Sequence, residues 1–155
     1  MFMKAIQDFY PAEFGHCYGC GAENPHGHKL KSFMKGDVVE ARFTVDPIYT
    51  GGFPKNVYGG LLASLLDCHG AASAAAYAHQ AMAREIGDGH PLQRFVTGTL
   101  TVVYHKPTPI GVELLLQGKL KSLNNRKAVI DLSLSAQGVT TVSAEMIAIQ
   151  LPNER

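Results

Sequence analysis

The residues with the most chemical promise are Tyr58-Gly59-Gly60-Leu61, where a long apolar run of helical period begins, and Asp67 within that run. Two glycines at a helix start leave backbone N–H groups uncovered by side chains. Those groups sit at the positive end of the helix dipole, where an oxygen gaining negative charge is stabilised. Gly60, Ser64, Asp67 and Ala71 follow at spacings of four, three and four, which aligns them in one helical stripe. Asp67 thus stands two turns in, on the face that carries Gly60. A carboxylate in the middle of an apolar helix is costly unless it has partners or a task. Two readings stay open: a general base or nucleophile, or a structural carboxylate hydrogen-bonded to a neighbouring loop or subunit.

A second group of reactive side chains lies upstream. His16, Cys17, Cys20, His26 and His28 are the ligand types of a zinc site. A Cys-x-x-Cys pair is only half of one, however, and no second pair exists, so no metal and no cofactor are expected. The loop is read instead as packing over a substrate channel, with its cysteines as small buried residues. Cys68 and His69 adjoin Asp67, but neighbours on a helix point to different faces, which disfavours a Cys-His nucleophilic pair. Cys68 reads as core, His79 as helix surface and His90 as loop.

These residues need elements to hold them. Residues from Met1 to Phe9 allow a short helix, stopped by Pro11. From Asp37 to Val45 the pattern alternates: Val39, Ala41, Phe43 and Val45 share one face, a strand with one wet side. From Leu61 the period becomes helical, with Leu61, Leu62, Leu65 and Leu66 followed by many alanines towards Arg84-Glu85, and Gly87-Asp88-Gly89 ends it. Its first turns are apolar nearly all round, so this helix is expected to be buried, and its alanines allow another backbone to approach closely. Four alternating segments follow, divided at Pro107-Thr108-Pro109, Asn124-Asn125-Arg126 and Gln137-Gly138. In the first, Thr97, Thr99, Thr101, Val103 and His105 share a face by strict alternation. Short connections imply antiparallel neighbours. The expected architecture is α+β: a five- to six-stranded antiparallel sheet wrapped around one long helix, in a single domain over residues 1–155 whose first 30 residues cover the core.

Composition narrows the function. A formal net charge of +1 gives no basic excess for binding nucleic acid. Nowhere do about 18 uncharged apolar residues run together, so no membrane association is expected. The start has no apolar core or cleavage-like site, which reads as no signal peptide. Three cysteines suit free thiols in a reducing compartment, so a cytoplasmic location is expected.

Three segments in order resemble one family. Tyr58-Gly59-Gly60 with Asp67 is similar to the His-Gly-Gly-(six residues)-Asp segment of PaaI-like acyl-CoA thioesterases of the hotdog superfamily. Thr97-Gly98-Thr99-Leu100 through Lys106-Pro107 resembles their Thr-x-x-Leu strand with its basic-Pro turn. Cys17-Tyr18-Gly19-Cys20-Gly21 with Asn24-Pro25-x-Gly27 resembles the entry segment of one branch. The resemblance covers roughly residues 15 to 150. It implies a hotdog fold and hydrolysis of an acyl-CoA thioester, with Asp67, Gly60 and Thr97 as catalytic residues. Gly60, with Gly59, would donate N–H to the thioester carbonyl. Thr97 would reach Asp67 or water from the partner subunit of a homodimer or homotetramer, with the sites at the interface. Arg126 and Lys127 would meet coenzyme A phosphates, although a solvated hairpin turn explains them equally. Asn56, Tyr58, Gly59 and Ser64 complete the expected substrate-binding set. Tyr58 stands where the family has His and does not titrate near neutral pH. The alternative reading is therefore a non-catalytic acyl-CoA or ligand-binding protein.

Overall fold

The computed structural model describes residues 3–152. Six strands form one antiparallel sheet: β1 (Ser32–Lys35), β2 (Val38–Thr44), β3 (Phe95–Tyr104), β4 (Glu113–Asn124), β5 (Lys127–Ala136) and β6 (Val139–Gln150). Their spatial order is β1-β2-β4-β5-β6-β3. The helix α1 (Gly59–Ala81) packs against all six strands, so the sheet curls around it. The expected layers are therefore present. The strand upstream of the helix gains a short partner, β1, through a turn at Gly36, whose φ of 61° suits glycine.

Alternation gives the right inward faces for most strands. Val39 and Ala41 of β2, and Ala128, Ile130, Leu132 and Leu134 of β5, are buried against the helix. Gln137 and Gly138 turn β5 into β6 with φ of 52° and 79°. Three expectations change. The N-terminal helix is a single 3-10 turn over Ile6–Phe9; Met1 and Phe2 lie outside the described residues. Helix α1 stops at Ala81 rather than near Glu85, because Ala83 adopts a left-handed φ of 58°. His79 is fully buried rather than on the helix surface, with Nε2 3.1 Å from the Glu85 carbonyl and 3.2 Å from Asp88 Oδ1.

The small residues of α1 let the sheet come close. Ala72, Ala74, Ala75 and Ala76 are buried. A side chain at Gly118 of β4 would collide with the Ser73 hydroxyl, only 2.3 Å from its Cβ, and one at Gly70 would meet Met146 at 2.6 Å. One buried polar chain ties the layers. His69 Nε2 donates to the Val39 carbonyl at 2.9 Å, and the Ser32 hydroxyl donates to His69 Nδ1 at 2.8 Å. Gln7 Nε2 donates to the same hydroxyl at 3.1 Å, and Gln7 Oε1 accepts from the Ser32 N–H at 2.8 Å. Every polar atom is used once the imidazole is neutral.

Burial holds the His69 pKa down to about 4 from 6.5, against the opposing pull of the Val39 carbonyl. An unfolded chain takes up this proton near 6.5; the folded chain refuses it until about 4. The stability contributed by neutral His69 is whole above the unfolded value and drains away as pH falls between the two. The loss amounts to about 3 kcal/mol. Urea unfolding at pH 7 and pH 4 is expected to show this loss, and a His69→Gln variant to lack that part of it. Parallel pH profiles for the two proteins would contradict the assignment.

Candidate functional site

Helix α1 begins without a side-chain cap: Tyr58 occupies the capping position and offers none. Leu61 and Leu62 N–H already bond back to the Tyr58 carbonyl, whereas Gly59 and Gly60 N–H find no acceptor among the described residues. The Tyr58 ring, 56% exposed, folds over this end; an alanine Cβ at position 60 would stand 2.4 Å from its Cζ and Oη. Tyr104 closes the other side, its hydroxyl donating to the Gly59 carbonyl at 2.7 Å. Two free amides at a helix start, with a phenol beside them, form a donor set suited to an anionic oxygen.

The stripe expected from spacing is the side of the helix that its own sheet leaves open. Gly60 is exposed, and Ser64, Asp67 and Ala71 are half-buried, while Leu61, Leu62, Leu65 and Leu66 are buried. Asp67 is thus a cavity-wall carboxylate, not a fully buried one. Ser64 spends its hydroxyl on the Leu61 carbonyl at 2.8 Å.

Thr97 of β3 donates to Asp67 Oδ1 at 2.5 Å. This contact is made within one chain, so the pairing does not need the Thr97 of a partner subunit. Its geometry depends on a β-bulge. The register slips between Thr97 and Thr99, with Gly98 as the extra residue. Thr97 lies opposite buried Ala148, whereas Thr99 lies opposite Ile147, on the other face. Leu100 then returns to the inner face opposite Met146. Strict alternation, which puts Thr97 with Thr99 and Thr101, is therefore corrected: the bulge turns Thr97 inward alone. A Cβ on Gly98 would come within 3.1 Å of the Ile147 carbonyl, so the bulge also favours glycine.

Asp67 and Thr97 line a cavity of about 390 Å³ with Phe14, Phe95, Ala71 and Ala75. That is the scale of a small-ligand pocket. Arg94 also lines it, stacked on the Phe14 ring at 3.1 Å from the centroid. Neither Arg94 nor Phe95 stands out in the sequence, though Phe95 opens β3 two residues before Thr97 and Arg94 immediately precedes the strand. A larger depression of about 750 Å³ lies near Met34, Arg84 and Ile86, and none of the candidate residues lines it.

The cysteine loop packs over this cavity and Cys68 joins it, but of the two loop cysteines expected to be buried only Cys20 is; Cys17 is exposed, because it faces the open cavity. Cys17, Cys20 and Cys68 all line the wall, and Cys17 Sγ lies 3.6 Å from Cys68 Sγ. The Cys68 hydrogen bond pulls the Cys17 thiol down to about 5, against burial, with help from the Cys20 and Gly19 backbone. Cys68 is pushed up, chiefly by its bond to Cys17. The other predicted residues lie apart from the Asp67–Thr97 pair. Asn56 shapes the loop before the helix, its carbonyl accepting from Gly51 N–H at 2.8 Å. Arg126 is committed to the Gln150 carbonyl, at 2.9 Å from Nε and 2.8 Å from Nη2. Lys127 pairs with Ile149, which pairs with Val96, so it stands two strands from the neighbour of Thr97. That separation is roughly 10 Å.

One antiparallel sheet wrapped around a long central helix defines the hotdog fold. The sequence profile described as Thioesterase superfamily matches residues 55–143. The chain belongs to the thioesterase superfamily. A thioesterase superfamily protein from Shewanella loihica PV-4 is 38% identical, with a TM-score of 0.69 over 92% of this chain and 100% of that one. The E. coli PaaI protein of the phenylacetic acid degradation operon shares the fold at 16% identity and a TM-score of 0.64, over 81% of each chain. A Bacillus halodurans protein solved with CoA does so at 23% identity and 0.60, over 82% of this chain and 77% of that one. No protein of curated function is significantly similar.

The Asp67–Thr97 contact can be measured without any substrate. A double-mutant cycle of Asp67→Asn and Thr97→Val, read by urea unfolding, is expected to give a coupling of about 1 kcal/mol. Additive effects would show that the two side chains do not meet.

Proposed function

We propose that the protein hydrolyses acyl-CoA thioesters at the cavity between α1 and β3. The observation that carries this reading is the Asp67–Thr97 pair at the wall of a 390 Å³ cavity, on a helix whose first amides are free. Membership of the thioesterase superfamily supports it, as does the CoA bound to the Bacillus halodurans neighbour.

The thioester carbonyl oxygen sits against Gly60 N–H, with Gly59 beside it, where the helix dipole stabilises the charge that develops as the carbonyl is attacked. Asp67 either removes a proton from the attacking water or attacks the carbonyl carbon itself; either route breaks the carbon–sulfur bond and releases CoA thiol. Thr97 is the positioning residue: its donated hydrogen bond fixes one carboxylate oxygen, leaving the other for chemistry. Phe14, Phe95 and the alanines of α1 receive the acyl group. Ser64 and Asn56 shape the mouth of the site. Lys127 is available for a CoA phosphate, and Arg126 adds positive charge beside it while holding the Gln150 carbonyl.

The open edge of β3 supports a homodimer, itself a unit of a homotetramer. Val96, Val103 and Tyr104 are exposed along it, and pairing with a second copy would join two sheets. In that assembly a CoA spans the subunit interface. Among the described residues no helix is long and apolar enough to cross a membrane. Three free thiols among the described residues support a cytoplasmic site of action.

One observation favours a second reading, a binder without turnover: the phenol of Tyr58, which stands where the family has His, crowds Gly60 at the helix start. The two readings part in one assay. Thiol release over a panel of short, medium and aromatic acyl-CoAs is expected for wild type, with kcat/KM at least about 100-fold lower for Asp67→Ala. Tyr58→His is expected to keep or raise turnover. Calorimetric binding of acyl-CoA with no thiol release from wild type, and release regained in Tyr58→His, would favour the binder. An unaffected Asp67→Ala enzyme would overturn the proposed mechanism.

A further inference from the structure

We propose that Cys17, Cys20 and Cys68 together bind one thiophilic divalent cation of the zinc class. The three Sγ atoms all lie within 4.8 Å of one another, and the Cys17–Cys68 pair is at 3.6 Å. Tetrahedral zinc–thiolate coordination places its sulfurs about 3.8 Å apart, so closing the site requires only side-chain adjustment. Cys17 and Cys20 are half a site, and no second Cys-x-x-Cys pair completes it. The third ligand comes instead from the helix, one residue after Asp67.

The loop is built around the cluster. Gly19 lies so close to the helix that a Cβ there would be 2.4 Å from Cys68 Sγ, and one on Gly21 would be 2.3 Å from the Gly15 carbonyl. Gly21 N–H bonds the Cys17 carbonyl at 2.7 Å, and Leu30 N–H bonds the Gly19 carbonyl at 3.0 Å. These contacts hold both loop thiols facing the helix. The nearby histidines are engaged elsewhere or outside the cluster: His28 packs edge-on against Tyr18 and Tyr49 at 4.9 and 5.0 Å. With three thiolates and a cation of charge two, the site is anionic, and Arg94 on the same cavity wall offsets it.

All three cysteines face the cavity and Cys17 is exposed, so the fourth position is open to water or a solute. Three-ligand sites with an open position differ from closed structural ones in exchanging that ligand. A disulfide would use two of the sulfurs and leave the convergence of the third unexplained. Thiolate donors select soft and borderline ions, which excludes magnesium and calcium as occupants.

Anaerobic titration of the reduced, chelator-treated full-length protein with Cd²⁺ tests this by the sulfur-to-metal charge-transfer band, and Zn²⁺ is tested by competition with a chromophoric chelator. The expected result is one ion per chain. Cys17→Ser, Cys20→Ser and Cys68→Ser should each weaken binding by about 100-fold or more, since loss of a ligand exceeds the effect of losing a ligand's supporting contact. Cys17→Ser alters an exposed residue, so its circular dichroism should match wild type and keeps the test independent of folding at Cys68. Absence of the band, or a one-per-chain band that survives Cys68→Ser, would overturn the proposal. So would a reduced protein that reoxidises to a Cys17–Cys68 disulfide and shows no ion binding beforehand. The readout is independent of thioester hydrolysis, so neither result depends on the enzymatic reading.

Discussion

A helix with almost no polar face has to be buried nearly all round, and this requirement shapes the molecule. Helix α1 carries leucine, alanine and glycine on most of its surface, so one flat sheet cannot cover it. The sheet curls until all six strands touch it. Close wrapping is possible because the contact surfaces are small: Gly118 faces Ser73, and Gly70 admits Met146. The neutral His69 network then joins the N-terminal turn, β1, β2 and the helix where a purely apolar contact would leave polar backbone unsatisfied.

What the sheet leaves uncovered becomes the candidate site. The open stripe from Gly60 to Ala71 is bordered by β3 on one side and the cysteine loop on the other. The bulge at Gly98 supplies the one inward turn that brings Thr97 to Asp67, at the edge strand where a change of twist disturbs the least pairing. The same strand ends with Tyr104 on the Gly59 carbonyl, so β3 spans the helix start and the carboxylate together. Site geometry and fold are therefore set by the same contacts. A chain that lost the helix–sheet packing would lose the cavity as well.

Spacing alone made the helix start, the stripe and Asp67 legible, because helical periodicity reports faces directly. The strand residues were legible only as alternation. An inserted residue such as Gly98 leaves no mark in that pattern until the partner strand fixes the register, so Thr97 could be named but not oriented from sequence. Cys68 read as core, and it is buried; which loop touches it depends on how residues 10 to 30 fold back, and no local pattern encodes that. His79 shows the same gap. It sits in the last helical turn, where surface exposure is the default, and it is covered by the Glu85–Asp88 turn, which begins only after Ala83 leaves helical geometry. Tyr58 was legible as a departure from the family's pattern, but only coordinates place its ring over Gly60.

On the proposed reading, the thioester carbonyl docks on the helix-start amides with its acyl group in the cavity beside Asp67. A crystal structure of Asp67→Asn with an acyl-CoA bound tests it most directly. The expected result is the carbonyl oxygen within hydrogen-bond distance of Gly60 N–H and the acyl chain between Phe14, Phe95 and Ala71. An acyl chain lodged instead in the depression near Met34 and Ile86, with the Gly60 amide untouched, would contradict it.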